Sequence, residues 1–383
     1  MKALLVTNDF PPTPGGESTW YAAICAALPP TSVCVLAPRM PGDRAVDAAL
    51  PYRVVRRWAP TWPYPLARFA QIALFTAHAA GLVRRNRVRS VHVAHLYLGP
   101  VGLALRRLCR TPYVLYLHGG EMAPFMRWRA VRGAVSAIVA NAQQVVMNST
   151  FTRRHYAALG VEHPQTEILT IGVDTARFRP DVDPTAIRRR HGLDGARVIL
   201  TVGRLVERKG QDTVIRALPR VREAVGRVRY VIAGTGPEAS RLAALAKDVG
   251  CGADVVLAGR VPDGELPAYY AACDVFIMPS RELPQRDGVE GFGIVFLEAG
   301  ASGRPVIGGR SGGIADAVLD GTTGRLVDPL STDEVAEALI RLLLNPSEAE
   351  RLGREGRARA EHLETAWRSR LAAMWTGAPA AAD

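Results

Sequence analysis

Short, almost wholly apolar runs punctuate this chain, separated by stretches in which apolar residues return every three or four positions. Lys2-Ala-Leu-Leu-Val-Thr7 does not alternate apolar with polar, the mark of a strand covered on both faces of a parallel sheet. Residues 32–36, 90–94, 112–117 and 137–141 read as further strands, and helical periodicity fills 20–28 and 67–89. This alternation predicts a doubly wound α/β sheet. A turn-rich passage at 169–180, ending in Pro180 and Asp181, predicts a linker. The pattern then restarts, with strands at 197–202, 229–233, 254–258, 274–280 and 304–308 and helices from 331 to about Trp375. The expected domains are 1–172 and 173–362, with a closing segment 363–383 whose last seven residues are expected to fray.

Several loops at the predicted carboxyl ends of strands carry chemistry. The first strand opens into Asn8-Asp9-Phe-Pro-Pro-Thr-Pro-Gly15-Gly16-Glu17 and then a helix, the phosphate side of a nucleotide-binding α/β unit. The G-x-G-x-x-G fingerprint is missing, so a dinucleotide oxidoreductase is poorly supported; Gly15 and Gly16 also suit a plain tight turn. His118-Gly119-Gly120-Glu121 follows another strand, where a histidine can bond a sugar hydroxyl or assist proton movement. His92, His95, His155 and His163 show no comparable setting in the sequence. In the second half, Gly203-Arg204-Leu-Val-Glu-Arg208-Lys209-Gly210 puts an arginine and a lysine five positions apart in one loop. Arg204 and Lys209 can clamp a diphosphate, the bland alternative being a basic surface turn. Gly234-Thr-Gly236 and Gly259-Arg260-Val261-Pro262 again place glycine at strand ends, where a planar base can slide against backbone. Finally, residues 287–298 run Asp-Gly-Val-Glu290-Gly-Phe-Gly-Ile-Val-Phe-Leu-Glu298. A glycine loop opening a helix offers bare N–H groups and a positive dipole end to phosphate. Glu298 then falls where it can reach a ribose, and Glu290 where it can reach whatever hangs from the far phosphate.

Composition narrows the class. With 383 residues, 48% hydrophobic and 22% charged, the chain has the make-up of a soluble globular protein long enough for two cores. A formal net charge of +12 attracts anions, yet no basic run interleaved with aromatics points to nucleic acid. The basic tail Arg84-Arg-Asn-Arg-Val-Arg89 suits a helix lying on an anionic membrane, and equally a surface helix with favourable C-terminal charges. Cys25, Cys34, Cys109, Cys251 and Cys273 make an odd count without metal-ligand spacing, as expected in a reducing compartment. The apolar run at 3–6 is too short for an export signal and no stretch spans a bilayer, so a cytoplasmic protein is expected, with peripheral contact at the inner membrane face left open.

Together, Gly203-Arg-Leu-x-x-Arg-Lys-Gly210, the Glu290-x7-Glu298 pair and Ser311-Gly-Gly-x-x-Asp316 resemble the family-4 retaining glycosyltransferases of GT-B fold. Leu4-Leu-Val-Thr-Asn-Asp-Phe-Pro-Pro and Val289-Glu-Gly-Phe-Gly-Ile-Val-Phe-Leu-Glu-Ala are similar to the actinobacterial phosphatidylinositol mannosyltransferases, above all the enzyme that adds the second mannose. The resemblance implies two Rossmann-like domains facing a cleft, with the acceptor held by the first and the nucleotide sugar by the second. It also implies that the last helix crosses back to the first domain, and that neither metal nor cofactor is needed. By that likeness Arg204 and Lys209 bind the diphosphate and Glu290 holds hydroxyls of the donor sugar. Gly291, Phe292, Gly293, Ile294 and Val295 lie near sugar and phosphates, Glu298 takes the ribose, and Val261 with Arg260 and Asp263 takes the base. Gly16 and His118 sit by the reacting centre, with Asp9, Gly15 and Glu121 on the acceptor side. GDP-mannose is the favoured donor and a UDP-sugar its rival. The loops Arg281–Gly288 and Gly119–Met122 depart from the mannosyltransferase pattern. They keep open a small soluble acceptor such as an aminocyclitol, and a sugar-nucleotide binder without catalysis stands as the non-enzymatic reading.

Overall fold

The computed structural model describes residues 2–13, 15–59, 66–119, 125–126, 128–283 and 288–376. The chain divides into two compact units, one of Met1–Ile171 with Trp367–Asp383, the other of Gly172–Ala366.

The first unit holds seven strands: β1 (Ala3–Val6), β2 (Val33–Pro38), β3 (Arg53–Arg57), β4 (Ser90–Val93), β5 (Tyr113–Leu117), β6 (Gln144–Met147) and β7 (Thr166–Ile168). They pair in the order β3-β2-β1-β4-β5-β6-β7, every neighbour parallel. All four residues of β1 and all five of β5 are buried, as their unbroken apolar runs require. Leu4, Val6, Phe75, Val91, Val93, Leu115 and Leu117 are among the residues of its core. The strand expected at 137–141 is instead the end of helix Arg129–Ala140. Val135, Ile138 and Val139 recur at helical spacing and bury one face, so the 3.6-residue period prevails over the short apolar run. The strand lies just beyond, in β6.

The second unit holds β8 (Arg197–Val202), β9 (Val228–Ala233), β10 (Val255–Gly259), β11 (Val275–Met278), β12 (Val306–Gly309) and β13 (Gly324–Val327), ordered β10-β9-β8-β11-β12-β13 and again all parallel. Its core joins Ile199, Tyr230, Ile232, Val275 and Ile277 to Val214, Ile215, Leu218 and Val221 of helix Gln211–Val225. Helix Ile294–Ala301 and the turn after it lie close against helix Pro346–Thr376: a Cβ at Gly353 would come within 2.2 Å of the Gly303 carbonyl oxygen, so only glycine allows the approach. The segment after Gly172 is tied to the same long helix, whose Glu364 carboxylate accepts from the Thr175 N–H and hydroxyl at 3.1 and 2.6 Å. That helix begins in the second unit, and its residues from Trp367 belong to the first. There Trp375 stacks on His92 and donates to the Tyr116 hydroxyl at 3.1 Å.

Among the described residues no helix is long and apolar enough to cross a membrane. All five cysteines stand free.

Candidate active site

In an open parallel sheet, ligands bind beyond the carboxyl ends of the strands where the strand order reverses. The first sheet reverses between β1 and β4, the second between β8 and β11. Each switch point carries a polar cluster.

In the second unit the loop after β8 ends in a single turn, Glu207–Lys209, and the loop after β11 carries Glu290. Lys209 Nζ and Arg208 Nη1 both donate to Glu290 Oε2, at 2.6 and 2.7 Å. The site is sheltered, with side-chain exposures of 12% for Lys209, 23% for Arg208 and 14% for Glu290. Burial, the largest single influence on Glu290, pushes its pKa upward, but Lys209 and Arg208 outweigh it and hold the carboxyl near 2. Glu290 is therefore ionised throughout the working range. The Lys209 ammonium is pushed down by burial first, partly restored by Glu290, and pushed down again by Arg208 and Arg204. The loop carries three cations, Arg204, Arg208 and Lys209, and one carboxylate, the exposed Glu207; with Glu290 counted, a residual positive charge is left. Such a place favours a further anion.

The backbone around Glu290 is held from behind. Gly313 N–H donates to the Glu290 carbonyl at 2.8 Å, and Gly312, at φ 56°, would bring a Cβ within 2.4 Å of that same oxygen. The Ser-Gly-Gly motif thus positions Glu290. Gly210 does the same for the opposite loop: at φ 72° its Cβ would meet the Pro279 carbonyl oxygen at 2.1 Å.

Helix Ile294–Ala301 starts at Gly293, whose φ of 90° and lack of a side-chain cap leave the first helical N–H groups open. One turn on, Glu298 is 8% exposed, and its Oε2 accepts from the Tyr270 hydroxyl at 2.6 Å. Burial lifts the Glu298 pKa from its ordinary 4.5 to about 7, with Tyr270 and Arg177 acting the other way.

Of the residues singled out by sequence, Arg204, Lys209, Gly234, Gly236, Arg260, Val261, Asp263, Gly291, Phe292, Ile294 and Val295, with Glu290, Gly293 and Glu298, lie on one edge of this sheet, after β8, β9, β10 and β11 or in the helix that follows. The structure pairs Lys209 with Arg208, which sequence left unassigned, rather than with Arg204, whose side chain is exposed. Gly234 and Gly236 have a packing reason of their own. A Cβ on either would come within 1.9 Å of the Gly203 carbonyl or 2.2 Å of the Leu205 carbonyl. Asp263 pairs with Arg177 at 2.9 Å.

In the first unit Asp9 lies after β1 and Glu17 in helix Gly16–Ala26, while His95 lies after β4 and His118 after β5. His95 Nε2 is 3.1 Å from Asp9 Oδ2, and His95 Nδ1 is 3.3 Å from Glu17 Oε2. These three donors lie within 4.8 Å of one another and are the described residues best placed to share a cation. His95 thus has a setting that the sequence did not reveal. Its ring lies 5.9 Å from that of His118. The Tyr21 hydroxyl donates to the Ala94 carbonyl and stands against His118 Nε2. Burial, then His95, pushes the His118 pKa well below its ordinary value, against the Ala94 carbonyl, so the ring is neutral at physiological pH. The Trp20 ring stands edge-on to it at 4.4 Å. Gly15, at φ 147°, has open space around its absent Cβ, so conformation rather than room calls for glycine before Gly16 starts the helix. Glu121 lies outside the described residues.

Two doubly wound parallel sheets with charged clusters at their switch points are the architecture of the GT-B glycosyltransferases. Residues 14–177 match the model of glycosyltransferase family 4, and residues 183–359 that of the group 1 glycosyl transferases. The chain belongs to the family-4 glycosyltransferases. It is 38% identical over 360 residues to the GDP-mannose-dependent α-(1-6)-phosphatidylinositol monomannoside mannosyltransferase of Mycolicibacterium smegmatis, covering 92% of both chains. A monoacylated-substrate counterpart from Corynebacterium glutamicum is 34% identical, over 96% of this chain and 94% of its own. A D-inositol 3-phosphate glycosyltransferase of Acidothermus cellulolyticus is 39% identical over 222 residues, 54% of this chain and 47% of its own. Among solved structures, sucrose-phosphate synthase from Thermosynechococcus elongatus superposes with a TM-score of 0.83 at 22% identity, covering 98% of each chain. Anabaena HepE in complex with UDP and glucose superposes with a TM-score of 0.82 at 19% identity, covering 99% of this chain and 100% of its own.

Proposed function

We propose that the chain transfers mannose from GDP-mannose to a hydroxyl of a phosphatidylinositol mannoside, with retention at the anomeric carbon and without a divalent ion at the diphosphate. The observation that carries the chemistry is the Glu290 carboxylate gripped by Lys209 and Arg208 at the switch point of the second sheet. Breaking a glycosyl–phosphate bond develops negative charge on the departing diphosphate. Lys209, Arg208 and Arg204, together with the open N–H groups of Ile294 and Val295, are fixed donors for that charge, the role a metal ion fills elsewhere. Glu290, ionised and immobilised, accepts hydroxyls of the sugar and orients it. Glu298, one turn into its helix, accepts the ribose diol.

The first unit takes the acceptor. Neutral His118, held against the Tyr21 hydroxyl, stands by a hydroxyl near the reacting carbon. Asp9 and Glu17 offer carboxylate oxygens to polyol hydroxyls. Mannose, GDP and the inositol lipid follow the named activities of relatives that this chain matches over nearly its whole length. The inositol phosphate glycosyltransferases, matched over about half the chain, support a second reading with a soluble inositol acceptor. Peripheral contact with an anionic membrane belongs to the first reading only.

The test is transfer of radiolabelled sugar from GDP-mannose, UDP-glucose and UDP-N-acetylglucosamine to phosphatidylinositol monomannoside in vesicles and to free inositol phosphate, with and without chelator. Transfer to the lipid from GDP-mannose, unaffected by chelator and giving an α-linked product by NMR, is expected. Abolition by chelator, or a β-linked product, overturns the mechanism; transfer to inositol phosphate alone selects the second reading.

A further inference from the structure

The amino-terminal edge of the first sheet, where β4 and β5 begin, carries a feature with no part in this chemistry. Helices Leu66–Asn86 and Gly99–Cys109 end there, and their last turns line an open surface cavity of about 590 Å³. Its lining includes Arg84, Arg87, Arg107 and Arg110, all exposed, beside Leu108, which is 61% exposed. No described carboxylate pairs with any of these four arginines. Cations at helix C-termini normally answer the dipole, and that accounts for Arg84 and Arg107 in the last turns. It does not account for four full charges, since each helix end supplies only about half a negative charge. Nor does it account for Arg87 and Arg110, which lie beyond the helices. Both hold left-handed backbone, at φ 49° and 55°, where glycine or asparagine is the unstrained choice. Arginine at both places puts a guanidinium on the cavity wall at the expense of backbone comfort.

We propose that this cavity is a second anion site, one that binds a phosphate-bearing group. Guanidinium pairs match phosphate oxygens by parallel hydrogen bonds. The volume falls within the range of about 300–1,000 Å³ typical of small-ligand pockets and exceeds what a lone water or chloride needs. Strands of four or five residues, rising about 3.3 Å per residue, place it roughly 15 Å from the catalytic edge. Its ligand is therefore neither the reacting sugar nor the attacking hydroxyl. A phospholipid headgroup and a soluble phosphate both carry the required chemistry.

The test compares the full chain with its Arg87→Gly/Arg110→Gly variant, whose glycines suit the left-handed backbone and are expected to leave the melting temperature equal or higher. Inorganic pyrophosphate is titrated into each by calorimetry at constant ionic strength. Each protein is also sedimented with phosphatidylcholine vesicles with or without phosphatidylglycerol. The phosphate-binding loops of the second unit are identical in both proteins, so only the difference between them reads this cavity. Binding weakened about tenfold or more is expected. Loss of a pyrophosphate-binding event identifies a soluble phosphate, and loss confined to phosphatidylglycerol vesicles identifies a lipid. Equal binding of both probes by both proteins overturns the proposal and leaves the arginines as helix-end charges.

Discussion

Replacing Glu298 with glutamine separates what the fold wants at this position from what the nucleotide wants. The buried carboxyl titrates near 7 in the folded chain against an ordinary 4.5, so between those values the native state holds a proton that the unfolded chain has lost. Stability against unfolding then falls as pH rises, because the native state binds more protons than the unfolded one. The penalty is absent below about pH 4.5, grows through the window, and is complete above about pH 7, where it amounts to about 3 kcal/mol. Glutamine carries no charge to desolvate, and its amide oxygen can keep the 2.6 Å bond donated by Tyr270. Glu298→Gln should therefore be nearly neutral for stability at pH 5 and stabilising by up to about 3 kcal/mol at pH 8. For a unit of this size each kcal/mol moves the melting temperature by roughly 2–4 °C.

The same change should weaken nucleotide binding. Hydrogen bonds from a ribose diol to a carboxylate are stronger than those to a neutral amide by about 1 kcal/mol each, so the dissociation constant should rise roughly 5- to 30-fold. The assay is melting temperature against pH from 5 to 9 for both proteins, with and without GDP. A stability difference that does not grow with pH, or a variant less stable than wild type at pH 8, would refute the reading of Glu298 as a buried, strained carboxylate. Unchanged nucleotide affinity would refute its role at the ribose.

Three further outcomes are expected. Lys209→Ala and Arg204→Ala should each lower turnover about 100- to 1,000-fold with the circular dichroism spectrum unchanged, by removing charge from the leaving diphosphate; steady-state kinetics at saturating donor decides it. Gly312→Ala, with a Cβ forced to within 2.4 Å of the Glu290 carbonyl at φ 56°, should cost about 1–3 kcal/mol in urea denaturation and lower turnover beyond what lost stability explains. Tyr21→Phe leaves the Ala94 carbonyl and His118 Nε2 without their shared hydroxyl and should cost about 1–3 kcal/mol, read from the urea midpoint.

Much of the fold was legible because parallel strands buried on both faces have to be apolar along their whole length. β1, β5 and β11 follow directly from that rule. Of the four edge strands only β10 was legible. β3, Arg-Val-Val-Arg-Arg, exposes its terminal arginines, and β7, Thr-Glu-Ile, is only half-buried, so neither carries the pattern on which the reading relied. Residues 137–141 failed in the other direction. An apolar run that short suits either period, and the contacts of Val135, Ile138 and Val139 decided for helix.

The candidate site shows the same division between local and distant information. Lys209, Glu290 and Glu298 were legible because glycine, charge and strand end fall together within a few residues. Which arginine of the β8 loop turns toward Glu290 was not, since Arg204 and Arg208 both lie in the motif and only the turn at Glu207–Lys209 aims Arg208 inward. His95 carries no local signal at all: its carboxylate partners come from a loop and a helix far upstream, brought beside it by the pairing of β1 with β4. The glycines fail more instructively. Gly234 and Gly236 invite a ligand-binding reading, yet each is already demanded by the backbone of the neighbouring loop. A glycine at a strand end therefore marks a site only when no neighbouring backbone fills the space its missing Cβ leaves. Charge converging from separate loops on one sheltered carboxylate, as at Glu290, marks a site more firmly, because desolvating those groups costs free energy that chain packing alone does not return.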